Sequence, residues 1–225
     1  MPELPEVETV RKGLTGVLVG ARLTRVEARR PDLRFPLPEG FVQRLTGARV
    51  ETLTRRGKYM LAGLDRATTL LIHLGMTGRF EIEAGEPTGA DFAPATAAKH
   101  AHIVLETDRG ARVTFFDARR FGFMDLIEDG ALATHPRLAN LGPEPLEGEF
   151  DPAHLRLAFS GRRQGAKTLL LDQRVVAGLG NIYVCEALHR ARISPVKPAA
   201  TVGLRQLRAL VPAIQSVLGE AIDQG

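Results

Sequence analysis

The chain has 225 residues, 44% hydrophobic and 25% charged, with a formal net charge of +4. That is enough apolar matter to bury a core as one large or two small domains, too ordinary a composition for wholesale disorder, and a charge that favours a polyanionic partner. The single cysteine, Cys185, excludes internal disulfides and a multi-cysteine metal site among these residues. With no signal peptide and no apolar run of the about 18–20 residues a membrane span needs, the expectation is a soluble cytosolic protein without a membrane partner.

Val7, Val10, Leu14 and Val17 recur at helical spacing, so residues 5–18 are expected to form an amphipathic helix with Pro5 in its first turn. The texture then changes to short apolar runs and alternation over 50–64, 69–82, 102–106 and 112–117, with Asp108, Arg109 and Gly110 as a hairpin turn. Residues 88–99, rich in Ala, Gly and Pro, are expected as a mobile loop, and 131–152, with LGPEPLEGEFDP, as a linker. Past Asp151 the pattern turns helical over 152–159, 164–176, 181–189 and 202–223. The fold class is α+β: a first helix beside an antiparallel β-sandwich or barrel, then a helical half. The expected domains are 1–130 and 151–225, joined by 131–150. No feature argues for an oligomer, so a monomer is expected.

The chemistry starts at the amino terminus. Met1 precedes a small residue, which favours its removal and leaves Pro2 as a free secondary amine. An α-amine titrates near about 7.7–8.0, against about 10.4 for lysine, so much of it is neutral and nucleophilic at cellular pH. A secondary amine that attacks a sugar aldehyde carbon gives an iminium ion, an electron sink for eliminating the adjacent phosphate. Glu3 and Glu6 follow, one suited to protonating an opening sugar ring and the other to orienting the first. The residues by themselves fit an ordinary helix start better, with acids placed against its dipole, because acidic first turns are common.

PELPEVET, from Pro2 to Thr9, resembles the amino-terminal signature of the bacterial formamidopyrimidine-DNA glycosylases. The resemblance recurs in order at TRRGKYM (54–60), IHLGMTG (72–78), DARRFG (117–122), LGPEPL (141–146) and LLDQRVVAGLGNIYVCEAL (170–188). It implies a bifunctional glycosylase and abasic-site lyase, acting through Pro2 on double-stranded DNA that carries oxidised purines or abasic sites. It also implies that the helical half holds a helix-two-turn-helix motif. Glu3 and Glu6 would serve the catalysis, and Lys58 would contact phosphate near the lesion and assist elimination, where the sequence alone fits a solvated basic turn as well as a functional lysine.

A base inside a duplex must be flipped out and its place filled. The resemblance assigns that filling to Met76, Arg119 and Phe121, residue types that stack where a base pair was; by residue type alone, Met and Phe in β segments are ordinary core. The family commonly has Asp-Pro-Arg-Arg-Phe where this chain has Ala118 after Asp117, which removes a stiffening proline but no functional group. His73 and His100 match positions near the DNA backbone, while His102 is taken as structural. Arg162, Arg163 and Lys167 form a basic run before the AGLGN turn. Gly178, Gly180 and Asn181 allow a tight turn into a helix whose free N–H groups suit a phosphate, and the resemblance has Asn181 and Lys167 grip phosphates.

Family members carry a lesion-capping loop and a four-cysteine zinc hairpin beyond the position of Gly225. Zn²⁺ is therefore implied by the resemblance, yet its four cysteines are absent from this chain. A truncated chain, a degenerate homologue and a variant with a substitute finger all fit, truncation most simply. Two rival functions stay open: an endonuclease VIII-type enzyme for oxidised pyrimidines, and a non-catalytic protein that binds damaged DNA.

Overall fold

The computed structural model describes residues 2–84 and 99–225. Met1 and almost all of the expected 88–99 loop lie outside the described residues. The chain divides into two compact units. The first takes in Pro2, Val7–Arg55 and Tyr59–His135; the second takes in Glu3–Glu6, Arg56–Lys58 and Pro136–Gly225.

Helix α1 (Leu4–Leu18) opens the chain. In the first unit it is followed by β1 (Leu23–Ala28), a short α2 (Phe41–Leu45), β2 (Val50–Arg56), β3 (Tyr59–Leu64), β4 (Thr68–His73), β5 (Arg79–Ala84), β6 (Ala101–Thr107), β7 (Ala111–Phe116) and β8 (Phe123–Glu128). The strands make two four-stranded sheets, in the orders β1-β6-β7-β5 and β2-β3-β4-β8. The pairs β1–β6, β6–β7, β7–β5, β3–β4 and β4–β8 are all antiparallel. One apolar cluster joins both sheets and the helix: Val7, Leu14 and Leu18 meet Val26, Ile103 and Phe115 of one sheet and Met60, Ile72 and Met124 of the other. Burying such side chains stabilises by about 1.5–3 kcal/mol each before entropy is counted. The expected sandwich and first helix are present, and Asp108 to Gly110 turn β6 into β7, with Gly110 at a φ of 74°.

The second unit holds α3 (Pro152–Phe159), α4 (Ala166–Leu170), α5 (Asn181–Arg190) and α6 (Leu204–Gln224) around a separate core of Leu155, Phe159, Leu170, Val184, Leu188, Leu210 and Ile214. Asp151 caps α3 by accepting from the His154 N–H, and Pro152 occupies the first helical position that tolerates it. The helix expected over 164–176 is much shorter, because α4 ends at Leu170. There Gln173 competes with the helix ladder: its amide donates to the carbonyls of Leu171 and Leu179 and accepts from the Gly178 N–H. Those bonds hold an irregular loop that leads into α5. The expected linker is counted in part with this unit, which begins again at Pro136.

Candidate active site and nucleic-acid surface

In the helical unit the start of α1 carries two acids, Glu3 just ahead of the helix and Glu6 in its first turn. The Glu3 N–H donates to Glu6 Oε2 at 2.8 Å, half of a capping box. The Glu3 carboxylate, only 2% exposed, accepts from the Ile182 N–H at 2.9 Å and reaches the Tyr183 N–H at 3.5 Å. It therefore sits on the amino terminus of α5, where the helix dipole and unpaired N–H groups stabilise an anion by up to about 2 kcal/mol. This corrects one expectation: the N–H groups of Ile182 and Tyr183 are not free for a phosphate, because the chain's own Glu3 occupies them. The glycine at 180 has the same cause, since a Cβ there would lie 2.3 Å from the Glu3 Cδ. Gly178, at a φ of 88°, makes room for Leu4 in the same way and accepts the Leu4 N–H through its carbonyl.

Tyr183 completes the cluster. Its phenol donates to Glu6 Oε1 at 2.6 Å. Burial first, and then the hydrogen bond and charge of Glu6, push that phenol well above the usual tyrosine range, so it stays a donor. Lys58 lies at the Gly57–Lys58 turn, half-buried. Burial pushes its ammonium down from the ordinary lysine value, and the charges of Glu3 and Glu6 partly restore it. The turn is pinned by Glu144, a buried acid that accepts from the Gly57 N–H at 2.6 Å and from Arg56 at 2.9 Å. Arg56 also donates to the carbonyls of Leu141 and Gly142. Two carboxylates and one partly desolvated amine are thus held within the unit that contains the residue bonded to Pro2. Asn181 opens α5 with an exposed side chain, Arg162 and Arg163 are exposed, and Lys167 is half-buried on α4.

The sheet unit places Met76, Arg119 and Phe121 on two loops that are packed together. Met76 and Phe121 are 37% and 38% exposed, unusual for side chains of their type. The loops share one buried anchor, Asp117, at 0% exposure. It accepts from the Gly122 N–H at 2.7 Å and from the Thr77 hydroxyl, and Thr77 in turn accepts from the Arg119 N–H. Gly75 is obligatory, since its φ is 65° and a Cβ would fall 2.3 Å from the Phe121–Gly122 backbone. Arg120 is held at a φ of 53°, a strained position for a residue with a side chain. The Arg119 guanidinium lies 4.6 Å from the Phe121 ring centre and that of Arg34 lies 6.0 Å from it. A cleft of about 420 Å³ opens there between Asp32, Leu33, Arg34, Arg119, Arg120 and Phe121.

His73 ends β4, stacked on Phe123 at 5.1 Å and accepting from the Gly75 N–H. His100 is half-buried at a φ of 75°. His102 is buried, with Nε2 2.9 Å from the Asp117 carbonyl oxygen, a structural place. Among the described residues no group of three or more His, Cys, Asp or Glu could hold a metal, and the one cysteine is exposed on α5. The described residues do not fit a zinc site. No described helix is long and apolar enough to cross a membrane.

A buried acid and a half-buried one beside Pro2, on a helix-rich unit, and an exposed apolar–cationic tip on a β-sandwich fit a two-unit protein of the DNA glycosylase class. The comparisons give the family. Residues 1–124 match the formamidopyrimidine-DNA glycosylase N-terminal domain and residues 141–225 the helix-two-turn-helix (H2TH) domain of the same enzymes. A formamidopyrimidine-DNA glycosylase of Phenylobacterium zucineum is 62% identical over the whole chain, which covers 80% of that relative, and one from Jannaschia is 56% identical with the same coverage. Among solved structures, the Lactococcus lactis enzyme in complex with DNA containing N7-benzyl-Fapy-dG matches 99% of this chain and 79% of its own, with a TM-score of 0.88 and 32% identity. The Thermus thermophilus protein matches 99% of this chain and 76% of its own, at 0.83 and 36%. The chain belongs to the formamidopyrimidine-DNA glycosylase family.

Proposed function

We propose that this chain excises oxidised purines, 8-oxoguanine opposite cytosine and formamidopyrimidines, from duplex DNA and then cleaves the abasic strand. The observation that carries the reading is the Glu3–Glu6–Lys58 cluster built directly onto the residue that follows Pro2. The lone pair of the neutral Pro2 amine forms a bond to the sugar C1′ carbon, and the damaged base leaves with the electrons of its glycosidic bond and takes up a proton. Glu3, held as a carboxylate on α5, takes the proton that the bonded Pro2 nitrogen sheds and hands it to the ring oxygen as the C1′–O4′ bond breaks, which leaves an iminium ion. Loss of a C2′ proton then lets the 3′ phosphate depart, and a second elimination releases the 5′ phosphate. Lys58, easier to deprotonate than an ordinary lysine, contacts phosphate and assists these proton transfers.

Met76, Arg119 and Phe121 fill the space left by the flipped nucleotide, and Arg119 pairs with the orphaned base. His73, His100, Arg162, Arg163, Lys167 and the Asn181 side chain hold backbone phosphates. Crystals of the related Lactococcus lactis enzyme with lesion-containing and abasic DNA support the choice of substrate. The protein works as a monomer in the bacterial cytoplasm, on the nucleoid, with 1–130 as the catalytic domain, 131–150 as linker and 151–225 as the DNA-gripping domain. The test is to incubate the purified chain with an 8-oxoguanine:cytosine duplex and borohydride. A covalent adduct and a nicked strand are expected; duplex binding with neither would mean a damage-binding protein without chemistry, and preference for thymine glycol would mean a pyrimidine enzyme.

A further inference from the structure

We propose that Tyr183 is a positioning residue of this reaction: its phenol fixes the Glu6 carboxylate, and through it the peptide plane that aims the Pro2 amine. The inference rests on the reading that Pro2 is the nucleophile. A carboxylate is rigid and planar, so holding one oxygen directs the other. Tyr183 holds Glu6 Oε1 at 2.6 Å, and Glu6 Oε2 accepts the Glu3 N–H at 2.8 Å. That N–H lies in the peptide plane joining Pro2 to Glu3, and the plane contains the Pro2 Cα. One bond further is the ring nitrogen. Tyr183 also approaches Glu3 through its own main-chain N–H, 3.5 Å from Oε2, so one residue of α5 reaches both acids.

A buried phenol needs an acceptor wherever it sits, and any backbone carbonyl would satisfy it. Here its acceptor is instead a carboxylate whose other oxygen binds the nucleophile's neighbour. Without the hydroxyl, Glu6 can swing about its terminal bonds and Glu3 loses the partner that orients it. Small errors of aim at a reacting atom cost rate rather than substrate affinity.

The experiment is borohydride trapping in a single turnover with the 8-oxoguanine:cytosine duplex, comparing wild type, Tyr183→Phe, Glu6→Gln and the double variant. Phenylalanine keeps the ring packing, and thermal unfolding checks that the variant is folded. Tyr183→Phe should form adduct about tenfold more slowly while binding the duplex within about twofold of wild type. In the Glu6→Gln background the same change should cost less than about twofold, because the residue acts through Glu6. Adduct at the wild-type rate in Tyr183→Phe would overturn the inference. So would an equal loss in both backgrounds, or a loss matched by weaker binding. No adduct from wild type would overturn the nucleophile reading instead, and this inference with it.

Discussion

The sheet unit and the helical unit hold their proposed functional residues in opposite ways. On the sandwich the side chains proposed to meet DNA, Met76, Arg119 and Phe121, stand exposed on loop tips, and the polar groups that fix the loops are the buried Asp117 and the half-buried Thr77. In the helical unit the residues proposed to do the chemistry go inward themselves: Glu3 is buried, Lys58 half-buried, and a helix terminus and a phenol satisfy the acids. The difference teaches where function and stability can be separated. An exposed tip can be cut away with little cost to the fold, whereas a buried charge carries both burdens at once.

The largest effect should follow Gly180→Ala. Its Cβ would collide with the Glu3 carboxyl group, pushing a buried charge off its helix terminus. Urea unfolding should show a loss of about 3 kcal/mol or more, and adduct formation should fall by over about a hundredfold. Wild-type values in both would break the claim that Glu3 fills this site.

Asp117→Ala comes next. It leaves the Gly122 N–H and the Thr77 hydroxyl without their shared acceptor, at a cost of about 3 kcal/mol in urea unfolding, together with weaker lesion binding as the two loops lose their common anchor. Binding that stays intact while stability falls would show that the tips need no such anchor.

Glu8 offers a control inside the sheet unit. Burial works to raise its carboxyl, but hydrogen bonds and charge from Arg11 and Arg55 hold it below its ordinary value of 4.5. A carboxylate lowered on folding stabilises the native state above its unfolded value, and that stabilisation drains away as pH falls from 4.5 through the lowered folded value. Glu8→Gln should therefore cost about 2 kcal/mol near neutrality, and the gap from wild type should close under acid. A gap independent of pH would mean that packing, not charge, is lost.

Met76→Ala is expected to move stability least, within about 0.5 kcal/mol, while weakening binding to the lesion duplex about tenfold. A large stability loss would reassign this side chain to the core and blur the contrast between the units.

These contrasts also explain what the sequence made legible. Val and Leu at helical spacing announced α1, and apolar runs or alternation announced the strands from β2 to β7: one-sided burial imposes a period, as in β3, while strands buried on both faces, such as β4 and β7, read as runs. Gln173, between Asp172 and Arg174, gave no warning that it would end α4, since only the folded loop brings the Gly178 N–H and the Leu179 carbonyl within its reach. The acids Glu3 and Glu6 were readable as chemistry from their place beside Pro2. Their partner Tyr183 was not, for it lies 177 residues away from Glu6 in the chain. Asp117 and Glu144 were visible only as letters in motif blocks. Each acts by accepting from backbone N–H groups, a role that leaves no pattern in sequence. Met76 and Phe121 were indistinguishable by type from core residues, and it took their exposure to set them apart.

The central claim is that the amine of Pro2, aimed by Glu3 and Glu6, is the atom that joins the DNA. Peptide mapping by mass spectrometry of the borohydride-trapped adduct tests it most directly. The account predicts that the sugar remnant is found on the N-terminal peptide, attached to Pro2. Attachment to Lys58 would contradict it, as would an adduct that forms equally well when the terminal amine is blocked.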